Sequence, residues 1–591
     1  MKRFLLMFFL PLLSLSAVAQ EDIELSVFTA GTLEEQLLLI APDAMTTTVR
    51  LKVDGFINGK DMMFIRELCG VKDISTPTEG VLTQLDLSEA FIVGSDEPYI
   101  SLYGIDFTSH DDVFGCCFLY NCRQLEQLKL PGTTMVVDSF ALASCSSLKS
   151  IELPVNLQSI GYGAFVGCES IETLSIPNSV DSIALGAFQK MTHLCELTLG
   201  NGITSIDNSL ILGDDSLQVI NLGKDFKSFH PIVFYTAPSL REINVPNINP
   251  YLSSDDGVLF SCEKDTLLMF PPASELYDYT IPSEVKRVGN SAFYGAKYLT
   301  GVTMPDSLAI IDSLAFFNCL SLERVELGAQ TESIAFGAFG ALPGSETSLR
   351  ELALPATVSV IESGAFFCNT SLQGIVVDND NPWFASDENG FVYDKSISRL
   401  VYAPAMAKSF DLPATVTSIG DFAATGFIGL PAVYVNDHVT EIGTGAFAYS
   451  TGMVQLILGK GLSRLGDFLV TGCSGLKEVW MYADAIADDN IAPYAFLDEE
   501  GYVPTSCTLF VKPGKVDYYF LKRGFYSEEY EMFFFADIQE MQAPDGISHI
   551  RGNATANPQF FSVDGRQQRS AKKGLNIIRL PEGRSLKRLF R

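Results

Sequence analysis

The sequence predicts an α/β-type repeat solenoid, a rod of 23-residue units with a parallel sheet, terminal caps and two hairpin inserts. Three observations predict it. Leading apolar residues fall at Leu125, Leu148, Ile171, Leu194, Leu217 and Leu240, a spacing of 23 residues each time, and a fixed period of that size marks a solenoid. Proline recurs at one place in the unit, at Pro131, Pro154, Pro177, Pro282, Pro305, Pro355 and Pro413. A small residue followed by Phe recurs at another, in Ala164-Phe165, Ala187-Phe188, Ala292-Phe293, Ala315-Phe316, Ala365-Phe366 and Ala446-Phe447.

Each part of the unit has a physical reading. Apolar residues at the first, fourth and sixth positions, as in Leu148, Ile151 and Leu153, make a short strand. The proline ends it, because a locked φ and a missing N–H suit the end of a strand. A second apolar point follows at Ile160, Ile183, Ile206, Ile311, Ile361, Ile419 and Ile442. One unit cannot close a core alone, so stacked neighbours bury each of these sets in a ladder, and the Phe set is core.

The units LKSIELPVNLQSIGYGAFVGCES, from Leu148, and IETLSIPNSVDSIALGAFQKMTH, from Ile171, carry a pattern that resembles the BspA-like leucine-rich repeats of bacterial surface proteins. The likeness runs at full strength from Leu125 to Val479. It implies a right-handed leucine-rich repeat rod, and a surface binding protein or adhesin in place of an enzyme. It does not carry a ligand with it.

The chain divides in order. Residues 1–19 hold Lys2 and Arg3, an apolar run from Phe4 to Leu15 and the small-residue site Ala17-Val18-Ala19, which together read as a secretory signal peptide. That run is too short to span a bilayer, no other stretch is long enough, and no Cys follows it to receive lipid. The expected product is exported and unanchored, at the cell surface outside the outer membrane or extracellular. Residues 20–124 make an N-terminal cap and first irregular coils. There the spacing predicts a helix over Gly31 to Ile40, with Thr32 and Glu35 as a capping box, and strands at Thr48 to Val53 and Leu82 to Leu87.

Residues 125–500 are the repeats. Two units are enlarged by similar inserts from Asn249 and Asn381, each with a pair of short apolar strands, Val258 to Phe260 with Leu267 to Phe270 and Phe391 to Tyr393 with Leu400 to Tyr402. These read as β-hairpins at 250–271 and 382–404 that project from the rod. Their acidic residues, Asp255, Asp256, Asp378, Asp380 and Asp387, admit calcium as an alternative, but turn chemistry explains most of them. Residues 501–548 form a C-terminal cap, with a last strand from Thr508 and a short helix. Residues 549–591 form a basic β tail, ten Lys and Arg against Asp564 and Glu582. It is similar to C-terminal segments of exported Bacteroidetes proteins, some of which direct sorting through the type IX secretion system; the alternative is an appendage that docks on the acidic body.

Composition excludes several classes of function. A net charge of −31 argues against nucleic acid, whose phosphates need a basic surface. The five histidines, His110, His193, His230, His438 and His549, fall at unrelated repeat positions, and no metalloprotease, nucleophile-elbow or phosphate-loop motif occurs. No catalytic residue, cofactor or metal ligand is predicted. Among twelve cysteines, Cys122, Cys145, Cys168, Cys319 and Cys473 all precede a leading apolar residue by three, so they read as structural thiols filling a small apolar site. Cys116-Cys117 lies outside that ladder, and oxidation there is the minor alternative.

If the first, fourth and sixth residues of each strand point inward, the third and fifth face the concave side, where solenoids bind. Earlier coils are polar at the fifth position, with Lys129, Glu152, Ser175, Thr198, Asn221, Asn244, Thr303 and Glu326. Later coils place Val376, Tyr434, Ile457 and Trp480 there, and these four are the predicted ligand-binding residues. The alternative for Trp480 is burial under the C-terminal cap. The expected partner is a host or microbial surface or matrix protein; a glycan-capture protein and a structural spacer are the competing readings. The protein is expected to be a monomer.

Overall fold

The computed structural model describes residues 21–102, 104–206, 210–230, 233, 237–497, 507–520, 525–527 and 532–541, together with four strand backbones between Gln559 and Phe590. The expected signal peptide lies outside the described residues. Two compact units are present, Met1–Ser254 and Asp255–Arg591.

In the first unit, strands Glu21–Val27, Thr48–Ile57, Gln84–Asp86, Gln127–Lys129 and Ser150–Glu152 pair in parallel. Strands Thr173–Ser175, Glu196–Thr198, Val219–Asn221 and Glu242–Asn244 form a second parallel sheet. Their central residues, Leu174, Leu197, Ile220 and Ile243, pair in register and are buried. The second apolar point of the unit is itself a strand: Val113–Phe114, Val136–Val137, Ser159–Ile160 and Ser182–Ile183 make another parallel ladder. Turns connect the two ladders between Gln127 and Ile183, so the solenoid is nearly all strand and turn, with little helix.

The aromatic ladder lies inside. Phe165 and Phe188 in the first unit, and Phe293, Phe316, Phe366 and Phe447 in the second, are buried. Ring centroids are 5.7 Å apart for Phe165 and Phe188 and 4.5 Å for Phe293 and Phe316.

The cysteine position is more specific than a small apolar site. The thiols of Cys145, Cys168, Cys319 and Cys473 donate to the carbonyls of Leu119, Leu142, Phe293 and Phe447, each 26 residues back, at 2.9–3.2 Å. Asn369, three residues before Leu372, donates from Nδ2 to the Phe339 carbonyl at 2.9 Å. The position therefore accommodates a small donor, although apolar Met191, Ala237 and Ala296 fill it in other coils. Asp214 differs from both kinds: it is fully buried, and its Oδ1 accepts the Met191 N–H at 2.6 Å. Burial pushes its carboxyl up to about 7.

Ahead of the repeats lie three helices, α1 (Leu33–Ile40), α2 (Ala44–Thr47) and α3 (Gly59–Leu68). The expected capping box on α1 does not form, since Thr32 makes no side-chain cap bond and Glu35 lies 3.6 Å from Lys60. Its amides are met from elsewhere. The buried carboxylate of Asp61 accepts the N–H groups of Gly31 and Leu33 at 2.6 and 2.9 Å, and that of Asn58 at 3.0 Å. One carboxylate thus serves the N-termini of both α1 and α3, where positive partial charge favours an anion; the capping box belongs to Asn58 and Asp61.

In the second unit the hairpins are present but do not project. Val258–Ser261 pairs antiparallel with Thr266–Met269, and Val392–Asp394 with Arg399–Tyr402. The second strand of each then joins a parallel ladder, Thr266–Met269 onto Arg287–Val288 and Arg399–Tyr402 onto Ser418–Ile419. Val258, Phe260, Leu267 and Phe270 are core, because burial of these apolar residues draws each hairpin into the wall of the coil. The acidic loops are held by turn bonds: Asp387 accepts the amides of Asn389 and Phe391 at 2.9 and 3.0 Å, and Asp394 those of Ser398 and Arg399 at 2.7 and 2.8 Å.

Thr508–Val511 is not the last strand of its sheet. It lies between Glu478–Met481 and Asp537–Glu540, parallel to both. The helix α4 (Val516–Phe520) lies between the two in sequence, with Tyr519 buried and its hydroxyl donating to the Ala483 carbonyl at 2.8 Å. In the basic tail, strands Gln559–Ser562, Gln567–Gln568, Gly574–Arg579 and Ser585–Phe590 form one antiparallel sheet.

Candidate ligand-binding face

The outward direction of the fifth position holds in both units. Glu152, Ser175 and Glu326 are exposed, and Lys129, Thr198, Asn221, Asn244 and Thr303 are half-buried. These polar residues answer one another along the sheet. Asn221 Nδ2 donates to Thr198 Oγ1, and Asn244 Nδ2 to Asn221 Oδ1, both at 3.0 Å. Lys129 lies between Asp86 and Glu152, at 3.5 and 3.6 Å.

The later coils differ. Strands Ala432–Val435, Gln455–Leu458, Glu478–Met481 and Thr508–Val511 pair in parallel, so that Tyr434, Ile457, Trp480 and Phe510 form one continuous row. Tyr434 is 49% exposed; the other three are half-buried. Trp480 and Phe510 stack face to face, with centroids 4.2 Å apart and planes 14° from parallel. Beside the row, Glu478 accepts the indole N–H of Trp480 at 2.9 Å and the side-chain amide of Gln455 at 2.7 Å. That carboxylate fixes the indole, and the inward alternates Val433, Leu456, Val479 and Leu509 are fully buried, so the row stands on a rigid base.

Three of the four residues singled out from sequence are thus brought together and the fourth is set apart. Val376 is 65% exposed but lies on the two-stranded sheet Glu351–Leu354 with Gly374–Val377. There the Gly390 carbonyl accepts the Ile375 N–H at 3.2 Å. This leaves a 730 Å³ cleft lined by Val376, Ser386, Glu388, Met406 and Lys408. Sequence reasoning missed Phe510, although TLFV at Thr508 aligns with EVWM at Glu478 and places Phe510 at the fifth position. The enclosing cap does not cover Trp480 outright; one ring, that of Phe510, covers one of its faces.

The sequence matches the family described as BspA type Leucine rich repeat region in six copies, over residues 114–247, 269–387 and 395–499, well over half of the chain. The chain belongs to the BspA-type leucine-rich repeat family. Members of this BspA-type family are cell-surface or secreted proteins, and the leucine-rich repeat is typically a non-catalytic binding scaffold. No helix among the described residues is long and apolar enough to cross a membrane. Several solved structures are similar. The pneumococcal vaccine antigen PcpA is 18% identical with a TM-score of 0.35, covering 83% of this chain and 89% of its own. A leucine-rich cell surface protein from Faecalibacterium prausnitzii is 20% identical, with a TM-score of 0.32 and coverage of 56% and 79%. A leucine-rich repeat protein from Bacteroides ovatus is 21% identical, with a TM-score of 0.32 and coverage of 64% and 84%. No curated protein matches the chain.

Proposed function

We propose that this BspA-type protein is an exported adhesin that captures a protein ligand on the strand face at Tyr434, Ile457, Trp480 and Phe510. The observation that carries the reading is the partly exposed, mostly aromatic row on rigid parallel strands. Tyr and Trp are enriched among residues that dominate interface energetics, and an apolar row on a solvated surface calls for a partner. Val376 adds a second apolar point beside its own cleft.

The packing of the row favours protein over glycan. A sugar ring stacks on an open aromatic face, whereas one indole face of Trp480 is taken up by Phe510 and the adjacent strand sets the aliphatic Ile457 beside the indole on the other side. Ring edges and the aliphatic Ile457 remain, which suit apolar side chains. On this reading residues 1–19 direct export, 20–124 and 501–548 cap the repeats of 125–500, and the tail at 549–591 serves sorting or surface retention.

A solid-phase screen of the purified protein against matrix proteins, bacterial surface proteins and glycans tests the function. The expected result is capture of a protein that Tyr434→Ala and Trp480→Ala both weaken while the fold persists. Capture that neither substitution alters, or capture of glycans alone, overturns it. Deleting residues 549–591 should change where the protein accumulates and leave its binding intact.

A further inference from the structure

Neighbouring side chains on an extended strand point to opposite faces, yet the sulfurs of Cys116 and Cys117 lie 3.7 Å apart. The cause is the left-handed backbone of Cys117, at φ 57°. The repeat itself imposes that conformation: Phe140, Gly163 and Gly186, at the same place in the next three coils, have φ of 55°, 57° and 66°. Both peptide groups of the pair are held. The Cys117 N–H donates to the Ser139 carbonyl at 3.1 Å, the Tyr99 hydroxyl donates to the Cys116 carbonyl at 2.7 Å, and Arg66 Nη1 donates to the Cys117 carbonyl at 3.2 Å. Bringing the sulfurs to bonding distance calls for side-chain rotation and for some twist of the intervening peptide, because adjacent Cα atoms lie closer than in an ordinary disulfide, and such a bond is correspondingly easy to reduce.

Access distinguishes Cys116, though not Cys117, from the ladder thiols. Cys116 is partly exposed and Cys117 is 5% exposed, whereas Cys145 and Cys168 are fully enclosed and aimed at carbonyls.

We propose that Cys116 and Cys117 are a vicinal dithiol site, which an external disulfide such as oxidised glutathione converts to a disulfide between the two neighbours. Cys116 loses its proton and attacks one sulfur of the external disulfide, forming a mixed disulfide and expelling one thiolate. Cys117, as its thiolate, attacks the Cys116 sulfur and expels the second. Two thiols of the protein are oxidised by two electrons, the external disulfide is reduced to two thiols, and the two released protons pass to them. In the reduced pair the hydrogen bond from Cys116 and the positive charge of Arg66 lower the Cys117 thiol from its ordinary range; once Cys116 is in the mixed disulfide its S–H is gone, and the Arg66 charge is what still favours the Cys117 thiolate as resolving nucleophile.

The test uses the reduced full-length protein, freed of reductant and incubated with oxidised glutathione. Peptide mass spectrometry should find the peptide carrying both residues lighter by two hydrogens and without a glutathionyl group. Capture of phenylarsine oxide, which reacts with paired thiols, should be lost in parallel. Exposed Cys262 reports that the oxidant was active by gaining a glutathionyl group. Cys117→Ser, or Cys117→Ala should the first not fold, should leave Cys116 as a stable mixed disulfide. A stable glutathionyl group on Cys116 in the natural protein overturns the proposal, as does a pair left unmodified while Cys262 reacts. Because the assay needs neither ligand nor export, its outcome is independent of the adhesin reading.

Discussion

The strand faces of residues 127–244 and 432–511 are built on the same parallel pairing and differ in what they turn outward. In the first, Thr198, Asn221 and Asn244 satisfy one another, and Lys129 is flanked by two carboxylates. In the second, Tyr434, Ile457, Trp480 and Phe510 offer apolar surface that only their neighbours partly cover. Inward residues are alike in both: Leu197 and Ile220 in one, Val433 and Val479 in the other, are all fully buried. The difference teaches that backbone pairing and the inward set hold the coil, which leaves the outward position free to vary. A polar ladder that closes on itself needs no partner; an aromatic row does.

Four measurements break or sharpen this comparison. The largest effect is expected where the regions should not differ. Phe188→Ala and Phe447→Ala each remove a fully buried ring and should each cost about 3–5 kcal/mol by cavity formation, read by denaturant unfolding and by hydrogen exchange of the flanking coils. Unequal losses would show that the two regions are not alike inside.

Binding should separate them. Trp480→Ala is expected to weaken capture of the protein ligand by about 2 kcal/mol, roughly 30-fold, while Thr198→Ala leaves it unchanged. Titration calorimetry with the captured protein checks both, and an equal loss from Thr198→Ala would erase the functional contrast.

The third measurement concerns pH and belongs to the polar region. The Asp214 carboxyl titrates at about 7 when folded against an ordinary value of 3.8, through burial first, with Asp215 adding to the rise against the opposing Met191 N–H. The folded chain thus holds more protons than the unfolded one between those values, and stability falls as pH rises from about 4 to about 7. Asn at this position keeps an acceptor for Met191 and adds a donor for the Phe188 carbonyl, as Asn369 does for Phe339. Asp214→Asn should therefore stabilise the protein by about 1–3 kcal/mol at pH 8, with the difference from the natural protein fading below pH 4. Melting curves across that range decide it; a constant difference would remove the titration from the account.

The smallest effect is expected from Asn221→Ala, which deletes the middle of the amide ladder. Its three side-chain hydrogen bonds, with Glu196, Thr198 and Asn244, are partly solvated, so the loss should stay near 1 kcal/mol, with no change in binding. Thermal unfolding against Thr198→Ala measures it.

Spacing alone revealed the repeat, the buried Phe ladder and the outward row, because a solenoid converts sequence period directly into contact between neighbours. Leu148 and Ile171 announce the coil by position, and Tyr434, Ile457 and Trp480 announce their alignment in the same way. Where contacts depend on residues outside the period, sequence was silent or misleading. Thr32 and Glu35 have capping-box spacing, yet the amides of α1 go to Asp61, a carboxylate whose reach from α3 has no local signature. The inserts alternate like free hairpins, yet their apolar faces are drawn into the wall, since exposing Phe260 and Leu267 would leave core surface in water. Val376 shares a repeat position with Tyr434 and not its sheet, because the insert's Gly390 occupies the neighbouring place.

The sequence by itself determined the period, the inward and outward alternation and the place of Tyr434, Ile457 and Trp480 on the strand face. Tertiary structure decided which of those residues meet, that Phe510 completes the row, that the cysteine position is a donor to a carbonyl 26 residues back, and that Cys116 and Cys117 face the same way. The physical reason is range. Period and alternation follow from the geometry of one strand and its next copy, whereas capping carboxylates, inserted strands and left-handed turns are settled by groups distant in sequence that must satisfy buried polar atoms and exclude water together.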